Sequence, residues 1–114
     1  MTETATADFV EFVESVLEGK RAEDIVRLDV REVTDIADEF LVATNNNARQ
    51  AAAIVQECEK ERKRRGLGRI GIEGLSSSSW VILDYGDLVV HLFLPEQREY
   101  YALEHLWGDA RRVR

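Results

Sequence analysis

Apolar side chains recur along the chain at two spacings, which predict its helices and strands. Residues 7–18 carry their apolar side chains on one stripe at helical spacing, and residues 26–30 alternate apolar with polar side chains as a half-buried strand does. Alternation predicts a further strand at residues 70–72, and apolar runs predict strands at residues 40–44, 80–85 and 88–94. Two more helices are predicted, at residues 48–65 and from Pro95 onward. The order α-β-β-α-β-β-β-α predicts an α+β fold in which helices pack on a mixed sheet of about five strands.

Polar and glycine-containing segments separate these elements. Asn45 to Asn47 predict a tight turn between the second strand and the second helix, because asparagine tolerates positive φ and caps helices well. A turn near Gly86 joins the last two strands into a hairpin. Residues 1–110 are predicted to form a single domain, and residues 111–114 a short basic tail that is expected to be mobile.

The composition is typical of a globular domain that works in a reducing compartment. The chain has 114 residues, enough for one hydrophobic core, and its single cysteine, Cys58, cannot form an internal disulfide. The first residues resemble neither a secretion signal nor a mitochondrial presequence. No apolar run approaches the roughly 20 residues that a membrane span needs. We therefore expect a cytoplasmic protein that makes no membrane contact.

The net charge of −7 is unevenly distributed and bears on the choice of partner. Residues 1–59 hold 14 acidic and 5 basic side chains, whereas residues 60–114 hold 8 acidic and 10 basic ones. A nucleic-acid binder needs cations that displace counterions from phosphates, so this chain predicts little or no direct contact with nucleic acid. Its acidic half would attract a basic protein, although the charge can also serve solubility alone.

The segment LDYGDLVVHLF contains the residues that most resemble a catalytic site. Asp84 and Asp87 lie three apart across a glycine turn, which weakens the sharing of a divalent cation, and formation of that turn explains them equally well. His91 lies inside an apolar strand, where a hydrogen-bonded core histidine is the more ordinary role. Together with Cys58 and His105 it shows no metal-ligand spacing, and no glycine-rich phosphate motif occurs. We expect no catalytic residue, no metal and no cofactor.

The same hairpin can instead form a binding surface, because both faces of its strands are apolar. Such strands need cover on both sides, and three helices are predicted for the whole sheet. If the helices crowd onto one face, the other keeps an apolar patch with an acidic rim, which ordinarily marks a protein interface; if they divide between the faces, no patch remains. The predicted partner-binding residues are Trp80, Ile82, Asp84, Asp87, Leu88, Val90 and His91.

Four motifs give residues 20–110 a resemblance to a known family. They are AEDIVRLDVREVTDIADEFLVAT, IEGLSSSSWVILDYGD, VVHLF and REYYALEHLWGDA. Together they resemble the ribosomal silencing factor family, also called RsfS or iojap-related proteins. The resemblance implies a translational repressor and not an enzyme. Such a protein binds the large ribosomal subunit through ribosomal protein uL14, sterically blocks joining of the small subunit, and silences translation under nutrient limitation.

The resemblance also implies a nucleotidyltransferase-like core and a set of site residues. The family's partner-binding tryptophan matches Trp80, its aspartates and glycine match Asp84, Gly86 and Asp87, and its strand histidine matches His91. Further matches lie in the last predicted helix, where a structural role is expected: Arg98, Tyr101, Glu104 and Trp107.

The sequence departs from the family pattern at TNNNARQ, where relatives commonly carry a glycine after the threonine and a serine before the arginine. Asn45 can replace glycine at a positive φ, and Asn47 can cap the helix as serine would. The turn is therefore expected to persist.

Two alternatives to ribosome binding stay open at this point. A nucleotidyltransferase-like enzyme would use Asp84 and Asp87 with a divalent metal such as magnesium. A self-associating module would close a homodimer through the apolar patch, which is compatible with ribosome binding if both partners compete for that surface.

Overall fold

The structure, a computed structural model, describes residues 3–77, 79–97 and 110–114. Its elements are α1 (Glu3–Gly19), β1 (Glu23–Asp29), β2 (Glu39–Thr44), α2 (Ala48–Arg64), β3 (Gly71–Glu73), β4 (Trp80–Asp84), β5 (Leu88–Phe93) and β6 (Arg111–Arg112). Residues 95–97 are helical, as the proline predicts. The rest of the predicted last helix, with its four family-matched residues and His105, lies outside the described residues.

The sheet is mixed and has six strands in the order β3-β4-β5-β2-β1-β6. β2 and β5 pair in parallel, with Val42 opposite His91, and the other pairs are antiparallel. These elements confirm the predicted α+β class and mixed sheet. The similarity of the core to nucleotidyltransferases stays a prediction.

The sixth strand comes from the basic tail, which was expected to be mobile. Residues Arg111–Arg112 pair with β1, and the Val113 amide donates to the Arg27 carbonyl at 2.8 Å. The Arg114 guanidinium bonds Glu14 and Glu18 of α1, and Arg27 also pairs with Glu14. The tail is therefore joined both to the sheet edge and to the first helix.

One face of the sheet, called here the helix face, is covered by α1 and α2. α1 buries Phe9, Val10, Val13 and Leu17, because these side chains share one stripe of the helix. The residues that meet them from α2 and the sheet are Leu41, Ala43, Ala51, Ile54, Val55, Cys58, Val81, Leu83, Tyr85, Leu88, Val90 and Leu92. This side contains the larger of the two cores.

The opposite face, called here the aromatic face, has a core of its own. Its buried residues come from β1, β2, β5 and the segment between β1 and β2: Val26, Leu28, Val30, Ala37, Phe40, Val42, Val89 and Phe93. Trp80 and Ile82 pack against this core while remaining partly exposed. Neither α1 nor α2 contributes to it, so these two helices share one face of the sheet. The predicted choice between helices on one face and helices on both also depends on the last helix, which lies outside the described residues.

The turn before α2 is kept, but by a different geometry from the one predicted for Asn45. Asn47 caps the helix by accepting a hydrogen bond from the Gln50 amide at 2.8 Å, as expected. Asn45 does not adopt a positive φ; among the described non-glycine residues only Arg21 and Asp24 do. Asn45 is instead fully buried, and its amide donates to the Phe93 carbonyl at 2.8 Å, which continues the pairing of β2 with β5.

Within the described ranges, neither helix combines the length and the apolar character required to cross a bilayer.

Candidate protein-binding surface

The sheet register divides the predicted binding residues between the two faces. Trp80 lies opposite Phe93, and Ile82 lies opposite His91, so these side chains project together on the aromatic face. Leu88 and Val90, in contrast, lie on the helix face and are 1% and 0% exposed. This corrects the predicted set, because a partner cannot reach side chains that are packed beneath α1 and α2.

The described residues place four rings in contact at the centre of the aromatic face, called here the aromatic cluster: Phe40, Trp80, His91 and Phe93. The Trp80 and Phe93 ring centroids are 5.0 Å apart, and His91 meets Phe40 edge-on at 5.0 Å. Such ring pairs add stabilisation beyond the apolar area that they bury. The cluster therefore gives the partly exposed Trp80 a rigid support.

A hydrogen bond within the aromatic cluster fixes the state of His91. The Trp80 Nε1–H donates to His91 Nδ1 at 3.1 Å, which requires Nδ1 to be unprotonated. Burial lowers the pKa of His91 to about 4, so the imidazole is neutral near pH 7 and carries its proton on Nε2. That Nε2 atom is buried, and it has no hydrogen-bond partner among the residues that the structure describes.

Alternating burial along β4 exposes one side of the strand. Val81 and Leu83 are fully buried, whereas Trp80, Ile82 and Asp84 are each partly exposed. A glycine sets the start of this strand: Gly74 has φ +85, and a Cβ there would lie 1.9 Å from the Trp80 carbonyl oxygen. The backbone that presents Trp80 therefore tolerates only glycine at this crossing.

The hairpin turn joins the two predicted aspartates to their surroundings. The Asp84 carboxylate accepts a hydrogen bond from the Gly86 amide at 2.9 Å, and Gly86 has φ +89, so the turn interpretation is confirmed for Asp84. The Asp87 carbonyl accepts from the Asp38 and Glu39 amides at 2.9 and 3.0 Å. Both aspartates remain partly exposed, at the end of β4 remote from Trp80.

Ile70 is a strongly exposed apolar side chain beside the hairpin turn, and it was not among the predicted site residues. Its side chain is 72% exposed, its amide donates to the Asp84 carbonyl at 2.8 Å, and its Cδ1 lies near Gly86. The sequence predicted Ile70 and Ile72 as members of one short strand, in which they alternate with Gly71 and Glu73. The alternation of apolar and other residues does not show that β3 begins at Gly71, which leaves Ile70 outside the strand. Because β3 pairs Ile72 with Leu83 of the helix face, no described contact joins Ile70 to Trp80. We define the Trp80 surface as Trp80, Ile82, Asp84 and Asp87.

A polar cluster on the helix face attaches the hairpin to α2. The Tyr85 hydroxyl donates to Glu59 at 2.9 Å, and Arg62 and Arg69 also bond this carboxylate. Burial raises the pKa of Glu59, but the hydrogen bonds from Arg62, Tyr85 and Arg69 outweigh it and leave that pKa lowered. Glu59 is therefore an ionised structural contact.

The described residues give the enzyme alternative no support. They contain no group of three or more His, Cys, Asp or Glu side chains placed to hold a metal ion. Burial raises the pKa of the Cys58 thiol to about 12, so this cysteine is not an activated nucleophile. The Asp84 carboxylate is engaged by the turn.

Comparison with known proteins gives a consistent family. The family model described as "Ribosomal silencing factor during starvation" matches residues 2–114. The ribosomal silencing factor RsfS of Bacillus subtilis is 42% identical over 93 residues, which cover 82% of this chain and 79% of the relative. A mouse protein named mitochondrial assembly of ribosomal large subunit protein 1 is 33% identical over 86% of this chain and 44% of its own length.

A solved structure has the same fold and a related sequence. The crystal structure of a Chromobacterium violaceum protein superposes with a TM-score of 0.83 at 35% identity, over 90% of this chain and 85% of the other. The family match extends over nearly the whole chain and agrees with the motifs that enclose Trp80 and His91. The chain therefore belongs to the ribosomal silencing factor family.

Proposed function

We propose that this ribosomal silencing factor acts in the cytoplasm by binding the large ribosomal subunit through ribosomal protein uL14. The bound domain would sterically prevent the small subunit from joining, and so repress translation when nutrients are limited. The family description names silencing during starvation, and the name of the mouse relative refers to the large subunit. The observation that carries the proposal is a partly exposed Trp80, supported by a rigid aromatic cluster on the face that α1 and α2 leave uncovered.

The chemistry of the Trp80 surface supports a basic protein as the partner. Apolar Trp80 and Ile82 are accompanied by the carboxylates of Asp84 and Asp87, in a chain whose net charge is −7. A desolvated aromatic anchor supplies much of the affinity of a typical interface, and rim charges accelerate encounter with a partner of opposite sign. The same carboxylates would repel the phosphates of ribosomal RNA, so direct nucleic-acid contact plays little part in the proposal.

Inhibition in this proposal requires no chemical step. The molecule measures 35 × 33 × 22 Å, which is large compared with the separation of two surfaces in contact. Once anchored at the face of the large subunit that meets the small one, a body of this size excludes the small subunit. Repression then depends on affinity and position alone.

Sedimentation with separated ribosomal subunits tests the proposal. Wild-type protein is expected to move with large subunits in a sucrose gradient and to reduce the fraction of joined ribosomes. Trp80→Glu should remove the protein from the large-subunit fraction, because the carboxylate would be desolvated at the centre of the interface.

Val113→Glu provides a matched control for that experiment. Val113 is 45% exposed and follows β6, four strand spacings or roughly 19 Å from β4. This variant should bind as the wild type does. Equal binding by a folded Trp80→Glu variant would exclude Trp80 from the interface. A homodimer closed by the same surface would instead appear in gel filtration as a concentration-dependent species that Trp80→Glu abolishes.

A further inference from the structure

We infer that His91 is a positioning residue: it holds the Trp80 indole in one orientation and does not itself touch the ribosomal partner. The binding part of this inference rests on the proposed function. The part that concerns the indole does not, because it is a statement about the free protein. Both follow from the way the two side chains meet within the aromatic cluster.

A hydrogen bond and a ring contact among the described residues hold Trp80 in place. Its Nε1–H donates to His91 Nδ1 at 3.1 Å, and its ring packs on Phe93 with centroids 5.0 Å apart and planes tilted by 31°. His91 itself is 7% exposed and lies between Ile82 of β4 and Val42 of β2. A partner that binds this surface would therefore contact the Trp80 indole, while the His91 imidazole lies beneath it.

Packing alone does not explain a histidine at this position. The described side chains that flank it on β2, β4 and β5 are apolar or aromatic, with Phe40, Val42 and Phe93 among them. Its buried Nε2 has no partner among the described residues, which costs stability. Phenylalanine would fill the same volume without that cost. What histidine adds is an acceptor for the indole N–H.

The imidazole is also in the correct protonation state for this task. Because burial lowers the pKa of His91 to about 4, Nδ1 is free to accept at neutral pH. Among the described residues, no titratable side chain faces His91 from β2 or β4, whose nearest members are Phe40, Val42, Trp80 and Ile82. The acceptor is therefore maintained by the apolar surroundings.

An indole that is held before binding loses less conformational freedom when the partner arrives. Ordering one large side chain at an interface weakens binding by roughly 2- to 10-fold. Removal of the Nδ1 acceptor should therefore weaken large-subunit binding by about that factor. This is far less than the loss expected for Trp80→Glu, because the ring itself remains.

Two substitutions that differ in one acceptor test the inference. His91→Phe keeps a ring in the cluster but offers no acceptor, whereas His91→Asn places a carbonyl oxygen close to the former Nδ1. Nitrogen-15 NMR of each variant reports on the indole N–H groups, and the Trp80→Phe variant identifies the Trp80 signal. Quantitative sedimentation with large subunits measures the binding of each variant. If His91→Phe does not fold, His91→Leu takes its place.

The expected pattern separates positioning from contact. His91→Phe should shift the Trp80 indole signal, speed its exchange with water, and weaken binding by roughly 2- to 10-fold without lowering the melting temperature. His91→Asn should restore both the signal and the affinity. An unchanged indole signal, or a changed signal with unaltered binding, would overturn the inference. Failure of wild-type protein to bind large subunits would reject the proposed function, while the NMR comparison would still decide whether His91 holds the indole.

Discussion

The two faces of the sheet are built differently, although the same strands form both. The helix face buries aliphatic side chains under α1 and α2, and its buried tyrosine, Tyr85, finds a carboxylate partner in Glu59. The aromatic face brings together four rings of the described residues, leaves Trp80 partly exposed, and buries a histidine nitrogen without a described partner. The helix face is packed as a stable core is. The aromatic face contains features that lower the stability of the folded state, as functional sites often do.

The largest expected effect on the free energy of unfolding is obtained by comparing one truncated side chain on each face. Leu88→Ala should lower the free energy of unfolding by about 2–5 kcal/mol, because it leaves a cavity in a fully packed core. Ile82→Ala removes a partly exposed side chain and should cost no more than about 1 kcal/mol while weakening large-subunit binding. Urea unfolding measures both. Equal losses of unfolding free energy in the two variants would mean that the two faces do not differ in packing.

The second prediction concerns the stability that the aromatic face loses at acidic pH. Burial lowers the pKa of His91 to about 4, so between pH 6.5 and 4 the unfolded chain binds a proton that the folded chain does not. The stability tied to neutral His91 is therefore complete above about pH 6.5 and is lost as the pH falls towards 4. The loss should be about 3 kcal/mol.

The matched variant for that experiment is His91→Asn, which cannot titrate. Carboxylates lose stability on acidification in both proteins, so the difference between the two pH profiles isolates His91. Denaturant unfolding at several pH values between 7 and 4 provides the profiles. Parallel profiles would show that His91 is not buried as described.

A smaller effect is expected at the polar contact on the helix face. Tyr85→Phe removes the hydrogen bond to Glu59 but leaves Arg62 and Arg69 on that carboxylate. The free energy of unfolding should fall by about 1–2 kcal/mol. Large-subunit binding should not change, since Tyr85 points away from the Trp80 surface. A binding defect in this variant, with its stability intact, would contradict the separation of the two faces.

The smallest effect is expected where the tail meets α1. Arg114→Ala removes ion pairs with Glu14 and Glu18, in which the arginine side chain is 38% exposed. Such contacts contribute no more than about 1 kcal/mol and weaken as salt is added. Thermal unfolding at low and high ionic strength should therefore show a difference between variant and wild type only at low salt. A large difference at both would mean that Arg114 has a packing role.

Much of this architecture could be predicted because it follows from local rules. Period-2 alternation located β1 and β3, apolar runs located β2, β4 and β5, and Asn47 identified the start of α2. β6 could not be predicted in this way, because two arginines carry no strand pattern. Their pairing follows from the exposed edge of β1 and from Arg114, which bonds Glu14 and Glu18 of α1.

The binding residues were only partly predictable, for a geometric reason. Alternation sorts side chains within one strand, but it does not say which set faces the same side as the set on the neighbouring strand. Leu88 and Val90 were therefore grouped with Trp80, whereas the pairing of Trp80 with Phe93 places them on opposite sides. A single cross-strand pair resolves this ambiguity, and it depends on tertiary structure.

The two-residue β6 also affects how the protein behaves at high concentration. An unpaired outer strand presents amides and carbonyls that a neighbouring molecule can extend into an aggregate. Here Leu28 and Asp29 of β1 are already paired, and the segment that pairs with them is too short and too strongly cationic to recruit another strand in turn. The pairing thus shields the end of this edge, from Arg27 to Asp29, against fibril-like growth.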